Sequence, residues 1–119
     1  MREYKKLLVW QKANELAHQI YTISESFPKE HRFGLTSQLQ RAALSVPTNI
    51  VEGSYSSHDG EFHQFLNIAF RSLGETSYLL QFAYERKLLS DAHYSETRDC
   101  INQTEKMLAA LLASVKRSR

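Results

Sequence analysis

The sequence predicts an all-α protein: an antiparallel up-down-up-down four-helix bundle with a proline kink in its second helix. The 119 residues suit one domain, residues 1–119, with a core of its own. Only 4 glycines and 2 prolines interrupt them, which favours long helices over many short strands. Apolar residues recur at alternating intervals of four and three positions in four segments, which is the spacing of one helix face. Short connections between the segments predict antiparallel neighbours.

The first helix is predicted over residues 8–26. Phe27 and Pro28 end it, because the residue before a proline avoids helical geometry. Its single apolar face needs neighbouring helices to cover it. That stripe consists of Val9, Ala13, Leu16, Ile20, Ile23 and Phe27.

The second helix is predicted over residues 35–54, and its interior is unusual. Pro47 removes a backbone donor and clashes with the carbonyl of Ala43, so the helix should kink. Asn49 stands where the stripe requires an apolar residue, and we expect its amide to satisfy a backbone group that the kink frees. The alternative is a polar binding pocket at the kink. The stripe consists of Leu35, Leu39, Ala42, Val46, Asn49 and Gly53.

Three charged residues complete a predicted structural polar lock around Pro47 and Asn49. In an antiparallel hairpin Arg41 lies beside the middle of the third helix, which predicts an ion pair or hydrogen bond with Glu75. Glu52 lies beside the start of the first helix, where we expect it to reach the backbone or a basic side chain.

The third helix is predicted over residues 58–87, with Ser57 as its N-cap. Its stripe consists of Phe62, Leu66, Ala69, Leu73, Thr76, Leu80 and Ala83. Further apolar residues flank that stripe, and one bundle interior cannot take them all. A large exposed apolar surface marks an interface, so these residues are the candidate oligomer interface. They are Phe65, Phe70, Tyr78, Leu79 and Phe82.

The fourth helix is predicted over residues 91–117. Ser90 is its expected N-cap, and Asp91 follows in the first turn, where a negative charge is favourable. The stripe consists of Thr97, Ile101, Thr104, Leu108, Leu111 and Val115.

Charge places a second candidate site at one pole of the bundle. The chain carries 15 Lys and Arg against 13 Asp and Glu. In an up-down-up-down bundle both chain ends lie at the same pole, and in those two segments only Glu3 opposes the basic residues. Such a pole can bind the phosphates of RNA or DNA, although charged termini also serve solubility alone. The candidate nucleic-acid-binding residues are Arg2, Lys5, Lys6, Lys12, Lys116, Arg117 and Arg119.

The sequence offers little for catalysis. It contains no phosphate-binding glycine loop, GxSxG or HExxH motif, so we expect no enzyme, cofactor or metal. Cys100 could be a nucleophile, but a lone cysteine on a helix face more often packs inertly. No apolar run approaches the length of a membrane span or signal peptide, which predicts a cytoplasmic location. His58, Asp59, Glu61 and His63 form a cluster near the start of the third helix. A solvated helix cap explains this cluster better than a metal site does.

A set of short stretches distributed along nearly the whole chain points to a family. They are LVWQKA at 8–13, FPKE at 27–30, FGL at 33–35, SQL at 37–39, RAA at 41–43, SVPTNIVEG at 45–53, EF at 61–62, Ala69, and SL at 72–73. Together they resemble the four-helix-bundle family whose founding members are encoded in intervening sequences of bacterial 23S rRNA genes. The second-helix stretch is the most specific part of the resemblance.

The resemblance implies up-down bundles that assemble into homopentamers. Relatives linked to diversity-generating retroelements act as accessory proteins that bind nucleic acid and a reverse transcriptase. Two functional classes therefore stay open. One is a non-enzymatic nucleic-acid-binding accessory protein that uses the basic pole, and the other is a protein-interaction scaffold ring with no nucleic-acid role.

Overall fold

A computed structural model describes residues 1–115 of the chain. Helices make up all of the regular structure in that range, which confirms the predicted all-α class. The long helices are α1 (Leu8–Ser24), α2 (Ser37–Ser54), α3 (Asp59–Glu85) and α4 (Asp91–Ser114). A 3-10 turn at Tyr4–Lys6 precedes α1, and turns at Lys29–His31 and Arg32–Thr36 join α1 to α2. Within residues 1–115, none of the helices has both the length and the apolar character that crossing a membrane requires.

Neighbouring helices run antiparallel, as their contacts show. Gln40, early in α2, donates a hydrogen bond to Ser24 at the end of α1 (2.9 Å), whereas the end of α2 accepts one from the backbone of Arg2 at Ser54 (2.8 Å). Each helix contacts the next in sequence, and α1 also contacts α4, which closes the bundle. Cys100, in the middle of α4, lies beside Lys12 of α1.

The predicted stripes form the core. Leu16, Leu39, Leu66 and Leu108 are fully buried, one from each long helix. Buried stripe positions include threonines instead of aliphatic residues, and the hydroxyls of two of them, Thr76 and Thr104, donate to a carbonyl one turn earlier in the same helix. The Thr104 hydroxyl, for example, donates to the Cys100 carbonyl at 2.7 Å. A buried hydroxyl bonded in this way avoids the cost of an unsatisfied polar group.

Of the two N-cap residues predicted from the sequence, the structure confirms one. Ser90 caps α4 as predicted, because its hydroxyl accepts a hydrogen bond from the His93 backbone (3.1 Å). The prediction for α3 is wrong: the residue before the helix is His58, and the Ser57 side chain makes no cap. The hydroxyl of Ser56 accepts from the His58 backbone instead (3.1 Å), so the turn is fixed one residue earlier.

At Gly53, α2 packs tightly against α3. A Cβ atom added to Gly53 would lie 2.8 Å from Phe65 Cβ and 3.0 Å from Phe62 Cδ1. Both distances are too short for carbon atoms in contact, so only glycine allows α2 to pack this tightly against α3. The glycine that ends the SVPTNIVEG stretch is therefore a packing residue.

We expect Gly53→Ala to lower the free energy of unfolding by about 1–3 kcal/mol, because the added methyl overpacks the α2–α3 contact. The matched control is Gly74→Ala in α3, where nothing lies within 4 Å of the added Cβ. There the better helix propensity of alanine should raise stability by about 0.5–1 kcal/mol. Urea denaturation followed by circular dichroism measures both. Equal effects at the two positions would contradict the packing role.

Candidate functional site

The polar residues of α2 meet α3 along one seam. Asn49 Nδ2 donates hydrogen bonds to the Ser45 carbonyl (2.8 Å) and to Ser45 Oγ (2.9 Å). Ser45 Oγ in turn lies 2.9 Å from Ser72 Oγ of α3. The expectation that Asn49 satisfies a carbonyl freed by Pro47 is wrong: its amide bonds the Ser45 carbonyl and not that of Ala43, because a helical side chain reaches back only about one turn. We call Asn49, Ser45 and Ser72 the seam network.

The sequence interpretation missed both serines of this network. Each stands directly before an apolar stripe residue, Ser45 before Val46 and Ser72 before Leu73, and each lies inside a long helix. Serine is a poor choice for a helix interior unless its hydroxyl has a partner. That mismatch was the available signal, although it does not say which two serines pair. Pro47 is buried within α2, and the helix continues past it; the kink stays a prediction.

The expected ion pair between Arg41 and Glu75 is wrong. Both residues line a cleft of about 300 Å³ between α2 and α3. The Glu75 carboxylate, however, accepts a hydrogen bond from Gln38 Nε2 (3.3 Å), and Arg41 forms none of the ion pairs seen among residues 1–115. Gln38 lies nearly one turn before Arg41 on α2, and its amide binds the carboxylate that Arg41 was expected to bind.

Glu52 also departs from its predicted role, since its side chain is exposed to solvent. The start of the chain docks two residues further on, where the Ser54 carbonyl accepts the Arg2 backbone N–H (2.8 Å). Two residues along a helix turn the side chain by about 200°, so the face that meets α1 carries Ser54 and not Glu52.

The terminal pole is less basic than predicted. The turn between α2 and α3 lies at this pole too, and Arg2 binds it: its guanidinium forms an ion pair with Asp59, donates to the Ser56 carbonyl (3.1 Å) and stacks 4.0 Å above the Phe62 ring. This acidic partner lies outside the two terminal segments, so a count of charges within those segments alone overstates how basic the pole is.

The remaining basic candidates differ in their surroundings. Lys6 pairs with Glu3 (3.4 Å), and Lys12 pairs with Glu15 (3.5 Å). Lys5 is exposed, and none of the ion pairs within residues 1–115 includes it. The C-terminal candidates Lys116, Arg117 and Arg119 lie outside the described residues.

The candidate interface on α3 divides into buried and exposed residues. Leu79 is only 7% exposed and belongs to the core, so its assignment to an exposed surface is wrong. It follows Thr76 by three positions and therefore lies on the inner side of α3. Phe65 and Phe70 are half-buried. Tyr78 (61% exposed) and Phe82 (39% exposed) face solvent, with ring centroids 6.3 Å apart.

The surroundings of Cys100 disfavour its reactive thiolate form. Burial raises the pKa of the Cys100 thiol to about 11, and the nearby Glu15 carboxylate adds to the shift. The thiol therefore stays protonated at neutral pH and is a poor nucleophile. Among residues 1–115, histidine, cysteine and acidic side chains form no group of three or more placed to hold a metal ion.

These features define a class of protein: a small antiparallel four-helix bundle whose proline-containing second helix is joined to the third by a polar seam. The description of the matching family is "23S rRNA-intervening sequence protein", and its model matches residues 5–110. The chain belongs to this family, as the sequence resemblance implied.

One similar solved structure is the crystal structure of a protein of unknown function from the S23 ribosomal protein family of Bacteroides thetaiotaomicron. The two chains are 23% identical, with a TM-score of 0.82 over 89% of this chain and 96% of that one. At this identity the likeness shows the shared fold alone. No curated protein matches the sequence.

The seam network should contribute measurable stability. We expect Asn49→Leu to lower the free energy of unfolding by about 1–3 kcal/mol, because Ser45 loses a hydrogen bond at a half-buried position. Asn67→Leu, at an exposed position of α3, should change it by less than about 0.5 kcal/mol. In a double-mutant cycle, Asn49→Ala and Ser72→Ala should be non-additive, since both act through Ser45. If the two changes in the free energy of unfolding are additive in urea denaturation, Asn49 and Ser72 do not act through the same network.

Proposed function

We propose that the protein is a non-enzymatic scaffold that assembles with copies of itself. The observation that carries this proposal is the exposed aromatic pair Tyr78 and Phe82 on α3. Two neighbouring aromatic rings on the outer face of a helix retain a large apolar surface that the bundle cannot cover.

The family resemblance implies a ring of five copies, and five chains of 13.8 kDa make 69 kDa.

Replacing both aromatic residues should dissociate the assembly. We expect Tyr78→Glu with Phe82→Glu to lower the mass measured by light scattering at micromolar concentration, because buried charges would oppose the contact. Tyr55→Glu is the control, since Tyr55 is 62% exposed directly after α2, at the other end of the bundle from Tyr78 and Phe82, and should leave the mass unchanged. A wild-type protein that scatters as a monomer would refute this function.

A second candidate function is binding of RNA or DNA at the terminal pole. Its support is the exposure of Lys5 and Lys6, together with the antiparallel pairing of α1 and α4, which brings the start of α1 and the end of α4 to one pole. In a ring made by rotational symmetry every copy of this pole faces the same side, so weak phosphate contacts add as avidity. If the protein binds nucleic acid, a reverse transcriptase of the kind that some relatives bind would be a further partner.

Nucleic-acid binding predicts a strong dependence on salt, because phosphate contacts release counterions. We expect glutamine at Lys5, Lys6, Lys116 and Arg117 to weaken binding to all sequences alike and to flatten the salt dependence in mobility-shift assays. Lys29→Gln and Arg86→Gln, at the opposite pole, should have little effect. If wild-type protein shifts neither RNA nor DNA at low salt, the scaffold function stands without a nucleic acid.

A further inference from the structure

The cleft between α2 and α3 is large enough to hold a small molecule. Its volume is about 300 Å³, and sites for small molecules measure about 300–1,000 Å³. Two hydrogen bonds between the helices join residues that line it. Gln38 Nε2 donates to the Glu75 carboxylate (3.3 Å), and Ser45 Oγ lies 2.9 Å from Ser72 Oγ. Arg41 also lines the cleft and lies between Gln38 and Ser45 along α2. We call this space the seam cleft.

The two charged residues of the seam cleft keep most of their hydrogen-bonding capacity. Among residues 1–115, no ion pair joins Arg41 to Glu75, and the Arg41 guanidinium makes none of the side-chain hydrogen bonds. One Glu75 oxygen accepts from Gln38, whereas a carboxylate has room for about four hydrogen bonds. A guanidinium carries a fork of N–H donors that matches a carboxylate. The cleft thus offers a cationic donor and an anionic acceptor that do not satisfy each other.

The seam network adds a neutral donor to the same cleft. Asn49 Nδ2 donates to Ser45 Oγ, and the contact between Ser45 and Ser72 uses the proton of one of the two hydroxyls. The other hydroxyl proton has no acceptor among residues 1–115, because neither serine donates to a carbonyl of its own helix as Thr48 does. Both serines line the cleft, so the spare donor borders it whichever serine carries it.

A molecule that carries both charges matches these groups. We propose that the seam cleft binds a free α-amino acid. Its carboxylate accepts hydrogen bonds from Arg41 and from the spare serine hydroxyl, and its ammonium group donates to Glu75. A simple anion would lie against the Glu75 carboxylate, and a simple cation would lie against Arg41, so neither suits the cleft as well. The small volume favours a ligand whose two charged groups stand on one carbon atom. The scaffold function is separate, because Tyr78 and Phe82 lie outside the cleft.

Titration with L-alanine tests this assignment. The probe carries both charges, whereas propionate lacks the ammonium group and ethylamine lacks the carboxylate. We expect a Kd on the order of 1 mM for L-alanine, because solvent screens the exposed charges of Arg41 and Glu75. Propionate and ethylamine should each bind at least about tenfold more weakly, since each leaves one charged residue of the cleft without a partner. The backbone amide chemical shifts of Ser45, Ser72 and Glu75 report binding in NMR spectra.

Variants of the two charged residues test which groups bind the ligand. Arg41→Gln removes the cation and Glu75→Gln removes the anion, so each should raise the Kd for L-alanine about tenfold. The loss should follow the charge that each probe carries. Ethylamine should bind Arg41→Gln no more weakly than wild type, because it has no carboxylate for Arg41 to bind. Propionate should bind Glu75→Gln no more weakly than wild type, because it has no ammonium group.

Arg86→Gln and Glu105→Gln are the matched controls. Each removes an exposed charge of the same type outside the cleft and should leave the Kd for L-alanine unchanged. Circular dichroism establishes that each variant is folded, and the comparison of the three probes on wild-type protein tests the proposal without any variant. The proposal is overturned if L-alanine causes no saturable change in chemical shift, or if propionate or ethylamine binds as tightly as L-alanine. An unchanged Kd in both folded cleft variants would also overturn it.

Discussion

The tight approach of α2 to α3 at Gly53 is the constraint on which the rest of the structure depends. With the helices this close, Ser45 and Ser72 come within hydrogen-bond distance further along the same seam. The turn that follows α2 is then short, and Arg2 fastens it through Asp59, the Ser56 carbonyl and the Phe62 ring. The start of the chain is therefore ordered by the α2–α3 pair, and not by α1 alone.

The SVPTNIVEG stretch is explained by the directions in which its side chains point. Val46, Pro47 and Ile50 are buried, so the proline is part of the hydrophobic core. Asn49 turns to the seam, where it bonds the residue one turn before it. Gly53 gives the close contact. Three structural functions of one helix thus occupy nine residues: core burial, the seam hydrogen bond and the close contact.

The net charge does not describe how charged and apolar groups are distributed over the surface of the bundle. At the terminal pole three basic side chains have acidic neighbours, which lowers the field that a phosphate would meet. On the outer face of α3, by contrast, the aromatic rings of Tyr78 and Phe82 remain exposed. Because a single bundle does not cover these rings, we propose that association between chains buries them.

The sequence by itself determined the four helices, their approximate ends and the residues that fill the core. The reason is that apolar residues spaced by three and four positions mark the buried face of an amphipathic helix, and this spacing is visible within each segment alone. It also indicated that Asn49 bonds the backbone, since a half-buried amide needs a partner one turn away. The tertiary structure decided which groups meet across helices: Glu75 with Gln38, Arg2 with Asp59, and Leu79 with the core. These contacts depend on the rotation of each helix about its axis, and one residue of rotation, about 100°, exchanges an exposed side chain for a buried one.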